Sequence, residues 1–463
     1  MLEKRFPATV EAEPELLARH AASAGSAEEA VRYWRRAAEL AIGRSANHEA
    51  IAHCGEAEAQ LLTRPPSVGR AQAELEIQFT KGVGIRAGKG YSAPEAERVF
   101  SRACELCEEL GDRVRLAHSL RGLWGFYYVA ARWSDAARVA ARLDAAAEGL
   151  EDRIALSVHE YVAGTTLLFR GDPAGGARRL LAALRLYDEG DRAVHIGHSG
   201  HDTATLVRGH LTLAQWLLGS PEQALATSGD GLEIARRVAH PFSLAQMLAF
   251  GAMVRVLSRE WVAAEALAAE AREVSTRYGL VTHRALGTTA AGMAAAARGD
   301  IAGGADLIRE GVAALRRTGG DFFSPLALAH LALALSASGD GTAAVETAAE
   351  AVRVARANGE LCWEAEALRV MGEVKRAAGA PALEVEADLE AAMIVARRQG
   401  AKAFELRAVV SLARLWAGRD GSRKARDLLA PILGSFTEGF GTPDLKEAAA
   451  LLAALTRRAS PRA

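Results

Sequence analysis

Cysteine is scarce in this chain, four residues in 463, and Cys54, Cys104, Cys107 and Cys362 are too few and too scattered for a disulfide framework. A reducing cytoplasm is the expected location. Net charge is lacking too: 56 basic and 57 acidic residues leave −1, so no overall field favours nucleic acid, an anionic membrane or acidic substrates. Lysine is rare, with seven residues, and the arginines that replace it are spread along the chain as a compositional bias. The opening "MLEKRFPATVEAEPELL" has no apolar signal-peptide core, which predicts no export. Long hydrophobic runs are also lacking except for residues 322–339, "FFSPLALAHLALALSASG". Pro325, His330 and three serines interrupt that run, and it falls in register with a repeat, so we expect a core helix and no membrane span.

Nucleotide-binding signatures fail as well. In "KGVGIRAGKGYSAPE", residues 81–95, five residues separate Gly82 from Gly88, three separate Gly84 from Gly88, and Lys89 is followed by Gly90 where a P-loop needs Ser or Thr. The dinucleotide fingerprint fails too, because its glycine spacing is wrong and no β-branched run precedes it. No Ser/His/Asp or Cys/His order stands out, and basic-aromatic interleaving is absent apart from the terminal "TRRASPRA". No catalytic residue, cofactor, metal or nucleic acid is therefore expected.

What is present is a ruler. Gly299, Gly339 and Gly379 are 40 apart, Gly219 lies 80 before Gly299, and Arg259 fills the slot between. A second set, Gly279, Gly319, Gly359 and Gly400, interleaves at spacings of 40, 40 and 41. Between successive marks lie good helix formers long enough for four or five turns, so each repeat reads as a helical hairpin. Seven before, five after and twelve after each turn residue, where crossing helices demand small side chains, fourteen of fifteen positions are Gly or Ala. Gly292 and Gly311 are the telling ones, since mid-helix glycine costs about 1 kcal/mol relative to alanine. The pattern predicts an all-α, tetratricopeptide-like right-handed superhelical solenoid with repeats of about 40 residues. We expect a single domain over 1–463: N-terminal repeats at 1–110, regular repeats at 111–400 with a loop inserted at 188–202, and a C-terminal repeat with a capping helix at 401–463.

Four stretches, "RFPATVEAEPELLARHAASAGSAEEAVRYWRRAAELA", "GKGYSAPEAERVFSRACELCEELGD", "HPFSLAQMLAFGAMV" and "RAVVSLARLWAGRDGSRKARDLLAPILGSFTEGFGTPDLKEAAALLAAL", carry a resemblance in order along the chain. They resemble the C-terminal tetratricopeptide-like region of bacterial multidomain proteins in which a class III adenylate/guanylate cyclase domain and an AAA-type signalling ATPase domain come first. The resemblance implies that both catalytic domains lie outside this sequence and that the chain is not an enzyme. It implies a scaffold or sensor that binds a protein or small effector and regulates a signalling partner. The alternative is the regulatory fragment of a split or truncated cyclase or ATPase. It also implies that the 81–95 stretch is a hairpin junction whose glycines serve a turn.

The first helix of each hairpin lines the concave side of such a solenoid, at ten, six and three residues before the turn. That rule nominates Tyr161, Thr165, Trp216, Met253 and Met293 for an apolar middle groove and Arg369, Glu373 and Arg376 for a charged C-terminal portion. An open trough for a helix, peptide or small effector and a trough closed by tight winding are both compatible with this pattern. Phe126 belongs to the densest aromatic cluster, with Trp124, Tyr127, Tyr128 and Trp133, which is either a ligand surface or, more simply, core. His195, His198 and His201 beside Asp202 offer metal-ligand chemistry, yet a solvated loop is the simpler reading. The His201-Asp202 pair resembles one in the family and implies a ligand or loop-ordering role. Cys104 and Cys107 lie within a helix as packing residues.

Overall fold

The computed structural model describes residues 13–44, 46–417 and 421–459, and among these it holds twenty-three α-helices, two short 3-10 turns and no strand. In order they are α1 (Pro14–Ser23), α2 (Ala27–Gly43), α3 (Asn47–Leu62), α4 (Val68–Lys89), α5 (Pro94–Leu110), α6 (Arg113–Val129), α7 (Trp133–Ala147), α8 (Arg153–Phe169), α9 (Pro173–Leu186), α10 (Arg192–Ser199), α11 (Thr203–Leu217) and α12 (Pro221–Val238). There follow α13 (Pro241–Leu257), α14 (Trp261–Arg277), α15 (Val281–Ala297), α16 (Ile301–Arg317), α17 (Ser324–Ala337), α18 (Gly341–Asn358), α19 (Glu364–Ala377), α20 (Ala382–Gln399), α21 (Lys402–Ala417), α22 (Ser422–Gly434) and α23 (Pro443–Ala459). Two compact units divide the chain, one reaching to Ala130 and including Arg138–Ala155, the other made of Ala131–Ala137 and Leu156 onward.

The ruler marks are the turns. Gly219, Gly299, Gly339 and Gly379 have φ between +80° and +109°, which an L side chain resists, and each ends the first helix of a hairpin. In two of these turns an aspartate follows and caps the next helix, Asp300 accepting from the Gly303 N–H at 3.1 Å and Asp340 from the Ala343 N–H at 3.0 Å. The small-residue positions are crossings: a Cβ placed on Gly304 would lie 2.5 Å from the Ala296 nitrogen and 2.6 Å from the Gly292 oxygen. α17 packs inside this array, and among the described residues no helix is long and apolar enough to cross a membrane.

The glycines of residues 81–95 are not a turn. α4 runs through Gly82, Gly84 and Gly88, and only Gly90, at φ +96°, turns the chain. The reason is packing: a Cβ on Gly82 would meet the Phe100 ring at 2.9 Å, and one on Gly122 would meet it at 2.4 Å, so α4 and α6 both approach α5 over that ring. The four cysteines are buried, and burial pushes the Cys54 and Cys104 thiols up to about 12, which leaves them unreactive.

In the second unit the hairpins wind so tightly that distant repeats meet. Phe169 stacks on Trp133 with centroids 4.5 Å apart and touches Phe322 at 5.2 Å, and Phe323 lies 5.2 Å from Trp363. Glu360, fully buried beneath these rings, accepts from the Phe323 N–H at 3.0 Å and the Trp363 indole at 2.9 Å. Burial pushes its carboxyl up to about 8 from an ordinary 4.5. Its contribution to stability is thus fully present below pH 4.5 and lost as pH rises through 8, each pKa unit being worth roughly 1.4 kcal/mol. Glu360→Gln is expected to abolish most of the fall in urea midpoint between pH 5 and 9; parallel pH profiles for the two proteins would refute this.

Candidate ligand-binding cavity

One cavity of about 440 Å³ opens in the second unit, within the size range of small-molecule and peptide sites. Most of its lining comes from α13, α15, α17, α19 and α21, the first helices of their hairpins, and from α23, with Trp261 of α14 and Ile301 of α16 at the starts of second helices. Val256, Met293, Ala296, Leu333, Ala334 and Val410 give it an apolar wall. Its ionic lining comes from α19, which carries Glu366, Arg369 and Glu373 on one face at i, i+3 and i+7, from Arg407 and Arg414 of α21, and from Asp444 and Glu447 of α23.

These charges are paired. Arg369 grips Glu366 with two hydrogen bonds of 2.8 Å. Arg407 reaches Glu366 at 3.4 Å and Asp444 at 2.8 Å, donates to the Leu257 carbonyl at 2.5 Å, and lies 4.9 Å from the Trp216 ring centre. Arg259 binds Asp444 at 3.3 Å and Glu447 at 2.8 Å, and Arg414 also pairs with Glu447. Burial alone pushes the Glu366 carboxyl up, but the guanidiniums of Arg369 and Arg407 reverse this and hold it down to about 2. For Glu373 burial likewise acts upward and is outweighed by the Ser411 hydroxyl and by Arg369 and Arg376, for a net lowering. Burial lowers His330, so its ring is neutral; Nδ1–H donates to the Leu326 carbonyl at 3.0 Å and Nε2 is left as an acceptor on a cavity-lining side chain. Four arginines balance four carboxylates on this lining, so the cavity suits a ligand with both apolar and polar groups and little net charge.

Of the residues nominated from sequence, Met293, Arg369 and Glu373 line the cavity. Arg376 lies outside the lining and bonds Glu373 at 3.0 Å from a side chain 57% exposed. Tyr161, Thr165, Trp216 and Met253 are not displayed in an open groove; all four are at most 3% exposed. Winding explains this correction: Tyr161 meets the His210 ring at 5.5 Å and Trp216 meets Phe404 at 5.3 Å, so later repeats fill the trough. Phe126 is buried edge-on to Tyr127 at 5.3 Å in α6.

The segment 188–202 is no solvated loop either. A 3-10 turn (Glu189–Asp191) leads into α10, and Asp202, fully buried, caps α11 by accepting from the Ala204 N–H at 3.1 Å while facing Arg192 at 3.5 Å. His195 is buried against Thr203, 3.0 Å from its hydroxyl, and His201 stacks on Phe242 at 5.3 Å. His198 falls on α10, its side chain outside the described residues. Among the described residues no three His, Cys, Asp or Glu side chains converge as a metal site would require.

Glu366, Arg407, Asp444 and Arg259 were missed by the sequence reading. Arg259 alone left a signal: it occupies a turn slot where glycine is the rule and holds φ +60°, a conformation tolerated in exchange for its two carboxylate contacts.

No protein-family model matches the sequence, and no curated protein matches it. Among solved structures, a Rap protein complexed with competence and sporulation factor is similar over 84% of this chain and 99% of its own, at 13% identity and a TM-score of 0.54. NprR in complex with its cognate peptide NprX covers 66% of this chain and 84% of its own at 12% identity and 0.43. A signal transduction ATPase with numerous domains and a tetratricopeptide repeat sensor, from Pyrococcus horikoshii, covers 86% and 61% at 14% and 0.40. The likeness to the Rap protein shows the fold: this is a tetratricopeptide-like helical repeat protein.

Proposed function

We propose that the chain is a non-catalytic tetratricopeptide-type sensor or scaffold whose cavity takes a protein segment or small effector and which thereby regulates a signalling partner in the cytoplasm. The observation that carries this reading is the 440 Å³ cavity, lined by apolar side chains and by ionically balanced ones, built from the first helices of five successive hairpins and from α23. The Rap protein of the same fold is complexed with competence and sporulation factor, which agrees with a ligand-holding role. A second reading, the regulatory part of a cyclase or AAA-type ATPase system, is favoured by the four ordered stretches quoted above.

Ala337 lines the cavity from an exposed position, so Ala337→Trp obstructs it without overfilling the core. In pulldowns from the native host followed by quantitative mass spectrometry, the wild type is expected to retain a partner that the variant loses, with unchanged melting of the variant. A small effector is read instead by native mass spectrometry of the recovered protein. Equal retention by both proteins, or nothing retained by either route, defeats the proposal.

A further inference from the structure

The first unit holds a smaller cavity of its own, about 270 Å³, between α3, α4 and α5. Helical spacing builds it. Lys81, Ile85 and Lys89 recur every four residues along one stripe of α4, Glu95, Arg98 and Arg102 follow at i, i+3 and i+7 on α5, and Glu58 enters from α3. Ile85 and Val99, both buried, add apolar surface. Unlike the larger cavity, this one is not balanced: its lining carries four cations and two carboxylates, an excess of two positive charges. Glu58 accepts from Lys81 at 2.6 Å and from the Gln78 amide at 2.8 Å, and Glu95 accepts from Lys89 at 2.9 Å. Arg102 spends its donors on acids outside the lining, Glu74 at 2.7 and 3.2 Å, Glu105 at 3.0 Å and Glu109 at 3.4 Å. Arg98 is left over. Among the described residues it makes no hydrogen bond or ion pair, and it acts on Glu95 through its charge alone. Its whole guanidinium fork, and two further N–H donors on each lysine, face the cavity without a protein acceptor.

We propose that this cavity binds a small dianionic ligand through Arg98, Lys89 and Lys81, its oxyanion chemistry being that of a phosphate group or of paired carboxylates. A phosphate monoester carries about −1.5 to −2 charges near neutral pH and a small dicarboxylate carries two, so either matches the excess on the lining. The guanidinium fork engages two oxygens at once, while the lysines act as point charges. Lys81 and Lys89 stand two turns apart, about 12 Å along α4, which leaves room for a ligand between their reach. Arg98 and Lys89 are exposed, so an anion meets them directly from solvent.

Sodium phosphate and sodium succinate are titrated calorimetrically into full-length wild type, Arg98→Gln and Glu95→Gln at constant ionic strength and neutral pH. Wild type is expected to bind at least one of the two anions with a Kd in the millimolar range or tighter. Arg98→Gln replaces an exposed, unpaired side chain, so its melting should be unchanged, and it is expected to bind that anion about tenfold more weakly, the loss of a charge-assisted hydrogen bond. Glu95→Gln removes the carboxylate that competes with the ligand for Lys89 and Arg98, so its binding should tighten several-fold. Binding of phosphate alone assigns a phosphate group, binding of succinate alone assigns paired carboxylates, and binding of both assigns a site that reads charge and oxygen spacing. No binding of either anion, equal affinity in wild type and Arg98→Gln, or an affinity of Glu95→Gln no tighter than wild type overturns the proposal.

Discussion

Gly304→Ala should lower the urea midpoint of this protein even though alanine is the better helix former. At an unobstructed helical site the exchange gains about 0.5–1 kcal/mol. Here the added carbon would sit 2.5 Å from the Ala296 nitrogen and 2.6 Å from the Gly292 oxygen, both backbone atoms that cannot step aside. Forcing α15 and α16 apart is overpacking, with a cost of ~1–3 kcal/mol for one methyl and more than about 4 kcal/mol for Gly304→Val. Gly229 in α12 is the control: nothing lies within 4 Å of its added Cβ, so Gly229→Ala should raise the midpoint. If the two alanine variants moved together, the close crossing would not exist. Gly292→Ala meets the same obstruction from the other helix, 2.7 Å from the Gly304 oxygen, so the double variant should lose less than the sum of the singles.

Arg407→Met is expected to cost about 3–5 kcal/mol, the range for removing one partner from a buried ionic network. Arg407 joins four elements at once, Glu366 in α19, Asp444 in α23, the Leu257 carbonyl at the end of α13 and the Trp216 ring in α11. Its loss should loosen α23 first, seen as early proteolysis near residue 440. The network also has an acid signature. Because the Glu366 carboxyl is depressed to about 2, its contribution is present above the ordinary 4.5 and disappears as pH falls through 2. Glu366→Gln should therefore cost most at pH 7 and little near pH 2. A variant that destabilises equally at both pH values would show that the carboxylate charge is not what the arginines hold.

The hairpin and its turns were legible because they are local. Gly299 and Gly339 mark their turns by φ alone, and Gly292, Gly304 and Gly311 mark crossings by the absence of a side chain; both signals repeat within 40 residues. The filling of the trough was not legible. It depends on a small rotation per repeat that accumulates until Phe169 meets Phe322, and no residue type encodes that sum. The same limit hid the cavity's ionic wall, whose members lie as far apart as Arg259 and Glu447, though Arg259 in a glycine slot hinted at a side chain with work to do. In residues 188–202 glycine and histidine content suggested an open loop, but Asp202 and Arg192 pair across the segment and α10 forms between them.

A pile of hairpins that touch only their neighbours can shed its outermost layer and leave the remainder standing. The knot of Trp133, Phe169, Phe322 and Trp363 and the tie from Arg259 to Asp444 remove that freedom from the second unit. Stripping away α23 uncovers ground that α13 stands on, so disorder admitted at one end reaches the middle of the sequence in a single step. An occupant lodged beside that tie, as proposed above, would accordingly bear on the second unit at once.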